Sequence, residues 1–390
     1  GDIGPEASKP VMEGKGLLFK IFAGIDVFDI ELDTKDVDEF IRTVKNIAPT
    51  FGGINLEDIK APEAFEIERR LKEELDIPVM HDDQHGTAII SSAALINALE
   101  ITGKKIEDVK IVISGAGAAA ISCSRLFQSC GAKLDNMVML DSKGVIHLDR
   151  PKLSEIKAPY ATSRKVNSLE EALVDADMFL GLSKGNILSG EVLKTMAKDP
   201  IVFALANPDP EIPYEEAIAA REDIIMATGR SDHPNQVNNV LGFPYIFRGA
   251  LDVRATAINE EMKMAAVRAL TELAHEPVPD LVSKAYGQKS ITFGRDYLIP
   301  KPLDPRLITT LSPAVAKAAI ESGVSRTNIT DWEKYHQDLQ KRIGIHREIA
   351  SHMINRAKKD PKKVVFAEAD NYKILKSADI IVEEGIATPS

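Results

Sequence analysis

Two pairs of adjacent carboxylates, Glu57-Asp58 in FGGINLEDI and Asp82-Asp83 in MHDDQHG, are the first residues whose types and spacing point to chemistry. Neighbouring carboxylates repel, raise each other's pKa and are costly beside apolar residues unless a cation neutralises them. All-oxygen donors suit Mg²⁺ or Mn²⁺, which keep positions open for water or substrate oxygens. Equally, each pair fits the start of the helix beside it, because acidic side chains favour a first turn. Spacing alone leaves the two readings even. His81 and His85, which flank the second pair, are zinc ligands by type, but capping or contact with Asp side chains is the commoner use.

The run IVISGAGAAA carries a second signature, a strand, a G-x-G-x-x-A turn and a helix start in that order. Gly115 suits the tight turn, Gly117 lets backbone approach a pyrophosphate, and Ala120 is small enough for helix and strand to pack closely. Ala116, Ala118 and Ala119 complete a loop whose amides and helix dipole would receive the anion. A lone turn of this kind is weak evidence, but the flanking strand, the helix and a further strand ending at Asp141 favour dinucleotide binding. Asp141, 24 residues after Gly117, stands where an acid commonly holds the adenine ribose, which points to NAD. Ser142 and Lys143 point the other way, since a hydroxyl and an ammonium can meet the extra phosphate of NADP. The bland alternative is that the two form an exposed turn.

The elements that must hold these residues read as follows. A glycine-rich opening leads to a strand-like stretch at 24–32 and helices at about 35–47 and 62–74. The apolar run TAIISSAALINAL from Thr87 predicts a buried helix. Strands at 109–114, 137–140, 178–182 and 201–206, with a helix at 118–130, imply parallel βαβ units and a doubly wound, Rossmann-like α/β sheet. Helices at 260–273 and 313–322 follow, then a charged amphipathic segment from about Asp331, a strand at 362–367 and a helix at 372–384. The expected division is a substrate and metal domain at 1–85, a dinucleotide domain at 86–250, a helical segment packing on both at 251–330, and a linker with the start of another domain at 331–390.

With 390 residues, 44% hydrophobic and 27% charged, the chain has the composition of a folded protein of two or three domains. A net charge of −11 argues against a nucleic-acid surface. No apolar run approaches the roughly 20 residues that span a bilayer. Cys123 and Cys130 are too few for a disulfide framework, and a reducing cytoplasm is the expected location.

GDIGPEASKPVMEGKGLLFKIFAGIDVFDIEL, PTFGGINLEDIKAPEAF, IPVMHDDQHGTAI, SGAGAAAI, FALANPDPE and PNQVNNVLGFPYIFRGALD together resemble the malic enzyme family, in its order and spacing, over residues 1–325. The resemblance is closest to the large bacterial form that carries an appended phosphotransacetylase-like domain, and VVFAEADNYKILKSADIIVEEG is similar to the opening of that domain. It implies oxidative decarboxylation of malate to pyruvate and carbon dioxide with NADP, NAD being the alternative, and with Mg²⁺ or Mn²⁺. It makes Glu57, Asp58 and Asp83 metal ligands, Lys15 the general base and Asp82 the carboxylate beside it. Asn207 and Asn238 become the asparagines that hold substrate carboxylate and nicotinamide. It implies a homodimer or larger assembly, and a tyrosine general acid upstream of Gly1 in a chain cut at both ends. Two rivals stand beside it: a dehydrogenase decarboxylating another hydroxyacid, which substrate profiling separates, and a non-catalytic nucleotide-binding module, which a metal-dependent rate excludes.

Overall fold

The structure, a computed structural model, describes residues 4–367, 371–383 and 385–389. Residues 1–3 of the expected opening and Glu384, the expected end of the last helix, lie outside them. The first element of the described residues is a helix, α1 (Pro5–Ala23). Gly14 and Gly16 each cost a helix roughly 1 kcal/mol relative to alanine. Against that, Lys15, Phe19 and Ala23 recur every four residues as one buried stripe, and burial of a stripe outweighs local preference. Lys15 is thereby carried to the inward face.

The expected helices follow as α2 (Val37–Ile47), where Asp36 accepts the Glu39 N–H, and α3 (Glu63–Glu74). The stretch at 24–32 forms no strand. A strand needs a ladder partner for its N–H and C=O groups, and the sheet nearby consists of β1 (Ile54–Leu56) and β2 (Val79–His81), which pair parallel with each other. β2 runs directly into α4 (Asp82–Thr102), five residues ahead of the helix expected from Thr87. Hydrophobic periodicity marks the apolar run, whereas the helix starts with Asp82 and Asp83 in the first turn, where its dipole favours carboxylates. From there α4 is buried on all sides along most of its length.

The larger sheet comprises β3 (Ile111–Ser114), β4 (Met137–Asp141), β5 (Gly144–Val145), β6 (Met178–Gly181), β7 (Ile201–Ala204) and β8 (Ile225–Thr228), in the order β5-β4-β3-β6-β7-β8. β5 pairs antiparallel with β4, and the other pairs are parallel. Alternation along each strand divides the core between the two faces. Ile111, Ile113, Met139, Leu180 and Phe203 pack with α4 and α5 (Ala118–Ser129). Val112, Val138, Phe179 and Val202 meet α6 (Leu169–Leu173), α7 (Gly190–Leu193) and α8 (Tyr214–Ala220). Coverage on both sides is the rule for parallel sheets. The strand order reverses between β3 and β6, which opens a crevice at the carboxyl ends of those strands.

Helices then return over the first residues: α9 (Phe243–Asp252), α10 (Glu260–His275), α11 (Asp280–Ala285) and α12 (Arg306–Glu321). α12 starts well before the expected Pro313, because Leu307, Ile308 and Leu311 already supply its buried face. α10 packs on α4, and α13 (Trp332–Lys359) lies against α1 and α12. Finally β9 (Lys362–Val364), α14 (Tyr372–Glu383) and β10 (Ala387–Pro389) form a small unit in which β9 and β10 pair parallel. Among the described residues no helix is long and apolar enough to cross a membrane.

Candidate active site

The inward face of α1, the end of β1 and the first turn of α4 converge on one buried amine. Lys15 Nζ donates to Asp82 Oδ2 at 2.5 Å and lies 2.7 Å from Glu57 Oε2. Its far side rests over the Phe243 ring, 4.5 Å from the centroid. Asn239 Nδ2 donates to the same Asp82 oxygen at 2.5 Å, while Asp82 Oδ1 is buried without a hydrogen-bond partner. That oxygen lies over Gly86, where a Cβ would stand 2.1 Å from it and 2.8 Å from Asn239 Cβ. Glycine at 86 is what leaves room for the Asp82 carboxylate on the helix's first turn.

Burial opposes every charge in this cluster. For Lys15 the two carboxylates outweigh burial and hold the amine charged, well above the ordinary lysine range. For Glu57 and Asp82 burial is the largest influence, and charge from neighbouring acids adds to it, so both carboxyls are pushed up despite Lys15. One ammonium therefore faces more carboxylate than it neutralises. Asp83 Oδ2 accepts the backbone N–H of Asp58 at 2.9 Å, which brings the third and fourth acids to the same place. Among the described residues no three His, Cys, Asp or Glu side chains stand in a metal-holding arrangement, since Glu57 is turned onto Lys15. In donor type and surplus negative charge, Glu57, Asp58 and Asp83 fit a hard divalent cation. A cavity of about 400 Å³, lined by Lys15, Phe19, Val27, Glu57 and Asp58 among others, opens beside them.

His81 and His85 take no part in that donor set. Glu68, on α3, accepts the His81 backbone N–H at 3.0 Å and pairs with His85 Nε2 at 3.0 Å, so it grips the chain on both sides of Asp82-Asp83. Burial, against the pull of Glu68, lowers His85 to about 4, and Lys263 lies 3.2 Å from its Nδ1.

At the crevice, Gly115 has φ 117° and a Cβ there would lie 2.5 Å from the Leu182 carbonyl oxygen, so the turn between β3 and α5 closes tightly on the end of β6. Ala116 follows in the turn, and Gly117 is the N-cap of α5 with no side chain capping the helix. Ala118 and Ala119 begin the helix and Ala120 is buried against the sheet. Asn207 follows the end of β7, its amide 3.4 Å from the Leu205 carbonyl. Asp141, at the end of β4, does not stand free for a ribose. Its oxygens accept from Arg150 and Lys157, both at 2.7 Å, and from the Lys143 backbone N–H at 2.9 Å. Burial would raise this carboxyl, but the Lys157 and Arg150 bonds outweigh it and hold it at about 2. Ser142 sits in the exposed turn between Asp141 and Lys143.

A model of the malic enzyme N-terminal domain matches residues 1–72, and one of the malic enzyme NAD-binding domain matches residues 84–282. The chain belongs to the malic enzyme family. It is 54% identical over its whole length to an NADP-dependent malic enzyme of Salmonella typhimurium, of which it covers 52%, and 53% identical to an NAD-dependent malic enzyme of Rhizobium meliloti, of which it covers 51%. It thus spans about half the length of these relatives. The crystal structure of a malic enzyme from Pyrococcus horikoshii superposes with a TM-score of 0.79 at 40% identity, covering 90% of this chain and 80% of that one.

Within this chain, Lys15 pairs with Asp82 and Glu57, and Asp83 accepts the Asp58 N–H beside them. Asn238 does not reach the cluster; its side chain accepts the Val240 N–H of its own turn, and the neighbouring Asn239 reaches Asp82 instead. Phe243, Gly86, Arg150 and Lys157 were also missed. Of these, only the two cations left a trace in the sequence, as basic residues in the stretch after Asp141.

Gly86→Ala should displace Asp82 and cost about 1–3 kcal/mol as overpacking, read as a lower denaturant midpoint at unchanged slope. A midpoint equal to wild type would mean that the turn has room to spare. Asp141, depressed in the folded state, contributes stability that is present above its ordinary 3.8 and is lost as pH falls through about 2. The loss should be on the order of 2 kcal/mol, and Asp141→Asn should remove that part of the acid dependence of unfolding.

Proposed function

We propose that this chain carries the catalytic centre for oxidation of malate by a nicotinamide dinucleotide with loss of carbon dioxide, giving pyruvate, and that NADP is the preferred oxidant. The observation that carries this reading is the buried Lys15, paired with Asp82 and Glu57 at 2.5 and 2.7 Å at the wall of a cavity. Lys15 takes the proton from the malate hydroxyl as hydride leaves the same carbon for the nicotinamide. The resulting β-keto acid loses carbon dioxide, and the enolate left behind takes up a proton at carbon.

Glu57, Asp58 and Asp83 would hold a divalent Mg²⁺ or Mn²⁺, which when bound supplies a Lewis acid drawing charge from the substrate oxygens. Glu57 pairs with Lys15 through Oε2, and turning towards a bound cation would loosen that pair. When it leaves Lys15, one of the two carboxylates that keep the amine charged is gone, and the amine gives up its proton more readily. Asp82 remains, fixed by Asn239, to orient Lys15. Asn207 and Asn238 lie on loops at the carboxyl ends of the strands, where amides can meet nicotinamide and substrate carboxylate. The domain division proposed is the one at 1–85, 86–250, 251–330 and 331–390, and α4 runs unbroken through residue 86. The enzyme works in the cytoplasm, in keeping with two free cysteines, and as a homodimer or larger assembly.

For the cofactor, Asp141 acts as an anchor. By pairing with Arg150 and Lys157 it gathers two cations around one carboxylate, with Lys143 following on the same turn, an excess of positive charge that suits the extra phosphate of NADP. Ser142 adds a hydroxyl donor on the same turn.

The decisive experiment is malate-dependent formation of NADPH and NADH, with and without Mn²⁺, in the full-length protein; no reduction of either dinucleotide would end this reading. Lys15→Ala should cut the hydride step by at least about 10²–10⁴-fold while dinucleotide affinity is largely kept. A near-normal rate would remove Lys15 from the mechanism. Lys157→Met and Lys143→Ala should each raise KM for NADP about tenfold and leave NAD nearly unaffected. Equal effects on both dinucleotides would show that these cations do not read the phosphate.

A further inference from the structure

Glu211 follows the ANPDP loop and has no exposed surface. A buried carboxylate is costly unless charge or hydrogen bonds compensate it. Here the compensation comes from main-chain amides of two different loops. Oε1 accepts the Ser183 N–H and Oε2 the Ala206 N–H, each at 3.1 Å. Burial raises the carboxyl, and these amides pull it back.

Both loops wall the crevice. Ser183 lies just past β6, its Oγ 2.9 Å from Ser114 Oγ at the end of β3, and Leu182 donates its N–H to the Ser114 carbonyl at 2.8 Å. The Leu182 carbonyl is the group pressed against Gly115. Ala206 immediately precedes Asn207. The two oxygens of Glu211 therefore tie the Asn207 loop to the loop after β6, and through it to the glycine turn.

We infer that Glu211 is a positioning residue that sets dinucleotide affinity, by clamping the loops after β6 and β7 in register with the turn at 115–117. The inference rests on the dinucleotide reading of the crevice given above. A carboxylate suits the task because both of its oxygens accept, whereas glutamine would turn an NH₂ group towards one of the two amides. The Glu211 main chain holds this region independently, its carbonyl accepting the Ile187 and Leu188 N–H groups at 3.0 and 2.9 Å. A side-chain variant keeps those bonds and should fold.

The test is titration of the full-length protein with NADPH, followed by fluorescence, beside titration with Mn²⁺ and thermal unfolding without dinucleotide. Glu211→Gln should weaken NADPH binding about tenfold, the consequence of one buried amide left without its acceptor. Its Mn²⁺ affinity should match wild type. Glu211→Asp keeps the charge but, shorter by one methylene, reaches a single loop, and its NADPH affinity should fall between the two. It also carries the test alone if the glutamine variant does not fold. Leu193→Ala, in the core under α7 and without contact to the Glu211 carboxylate, serves as the control for simple destabilisation and should keep NADPH affinity. Wild-type affinity in both Glu211 variants would overturn the inference, as would an equal loss in Leu193→Ala. Failure of the wild-type protein itself to bind NADPH would overturn the dinucleotide reading on which it rests.

Discussion

Everything in the candidate site turns on one largely buried ammonium beside more carboxylate than it can neutralise. Lys15 reaches Asp82 and Glu57 only because α1 turns its buried stripe inward, β1 delivers Glu57, and α4 begins at the residue where β2 ends. A buried ion pair is weak evidence for stability, because desolvation offsets much of its attraction. The same imbalance that destabilises the cluster makes it receptive to a cation.

The surrounding structure is devoted to holding that turn still. Glu68 grips the backbone before Asp82 and the imbalanced His85 after it, Phe243 supports the Lys15 amine, and Asn239 occupies the Asp82 oxygen that Lys15 also uses. Groups locked by packing and by hydrogen bonds lose little entropy when substrate arrives, which is the physical content of a preorganised site. α10 and α13 extend this support, the first by packing on α4 and the second by lying along α1.

At the other wall, the adenine end of the crevice uses an acid in an unexpected way. In the plain reading of a dinucleotide fold, the acid at the end of the second strand binds ribose hydroxyls. Here that acid is already engaged by Arg150 and Lys157.

Sequence by itself determined what depends on neighbours along the chain. The strand, glycine turn and helix at 111–120, the buried strands on both sides of them and the amphipathic α2, α3 and α10 were legible because their hydrogen bonds and periodicity are contained within a few residues. The family motifs made Lys15, Asp82 and the acid set legible in the same way. Tertiary structure decided what depends on partners far away. That Lys15 lies in a helix, that residues 24–32 form no strand, that Asn239 and not Asn238 meets Asp82 across 157 positions, and that Asp141 is taken by cations 9 and 16 residues on are all settled by which surfaces pack together. Burial of a stripe overrules glycine's poor helix preference, a strand cannot exist without a ladder partner, and a carboxylate in a low-dielectric crevice takes the nearest cations; none of these three outcomes is encoded in local spacing.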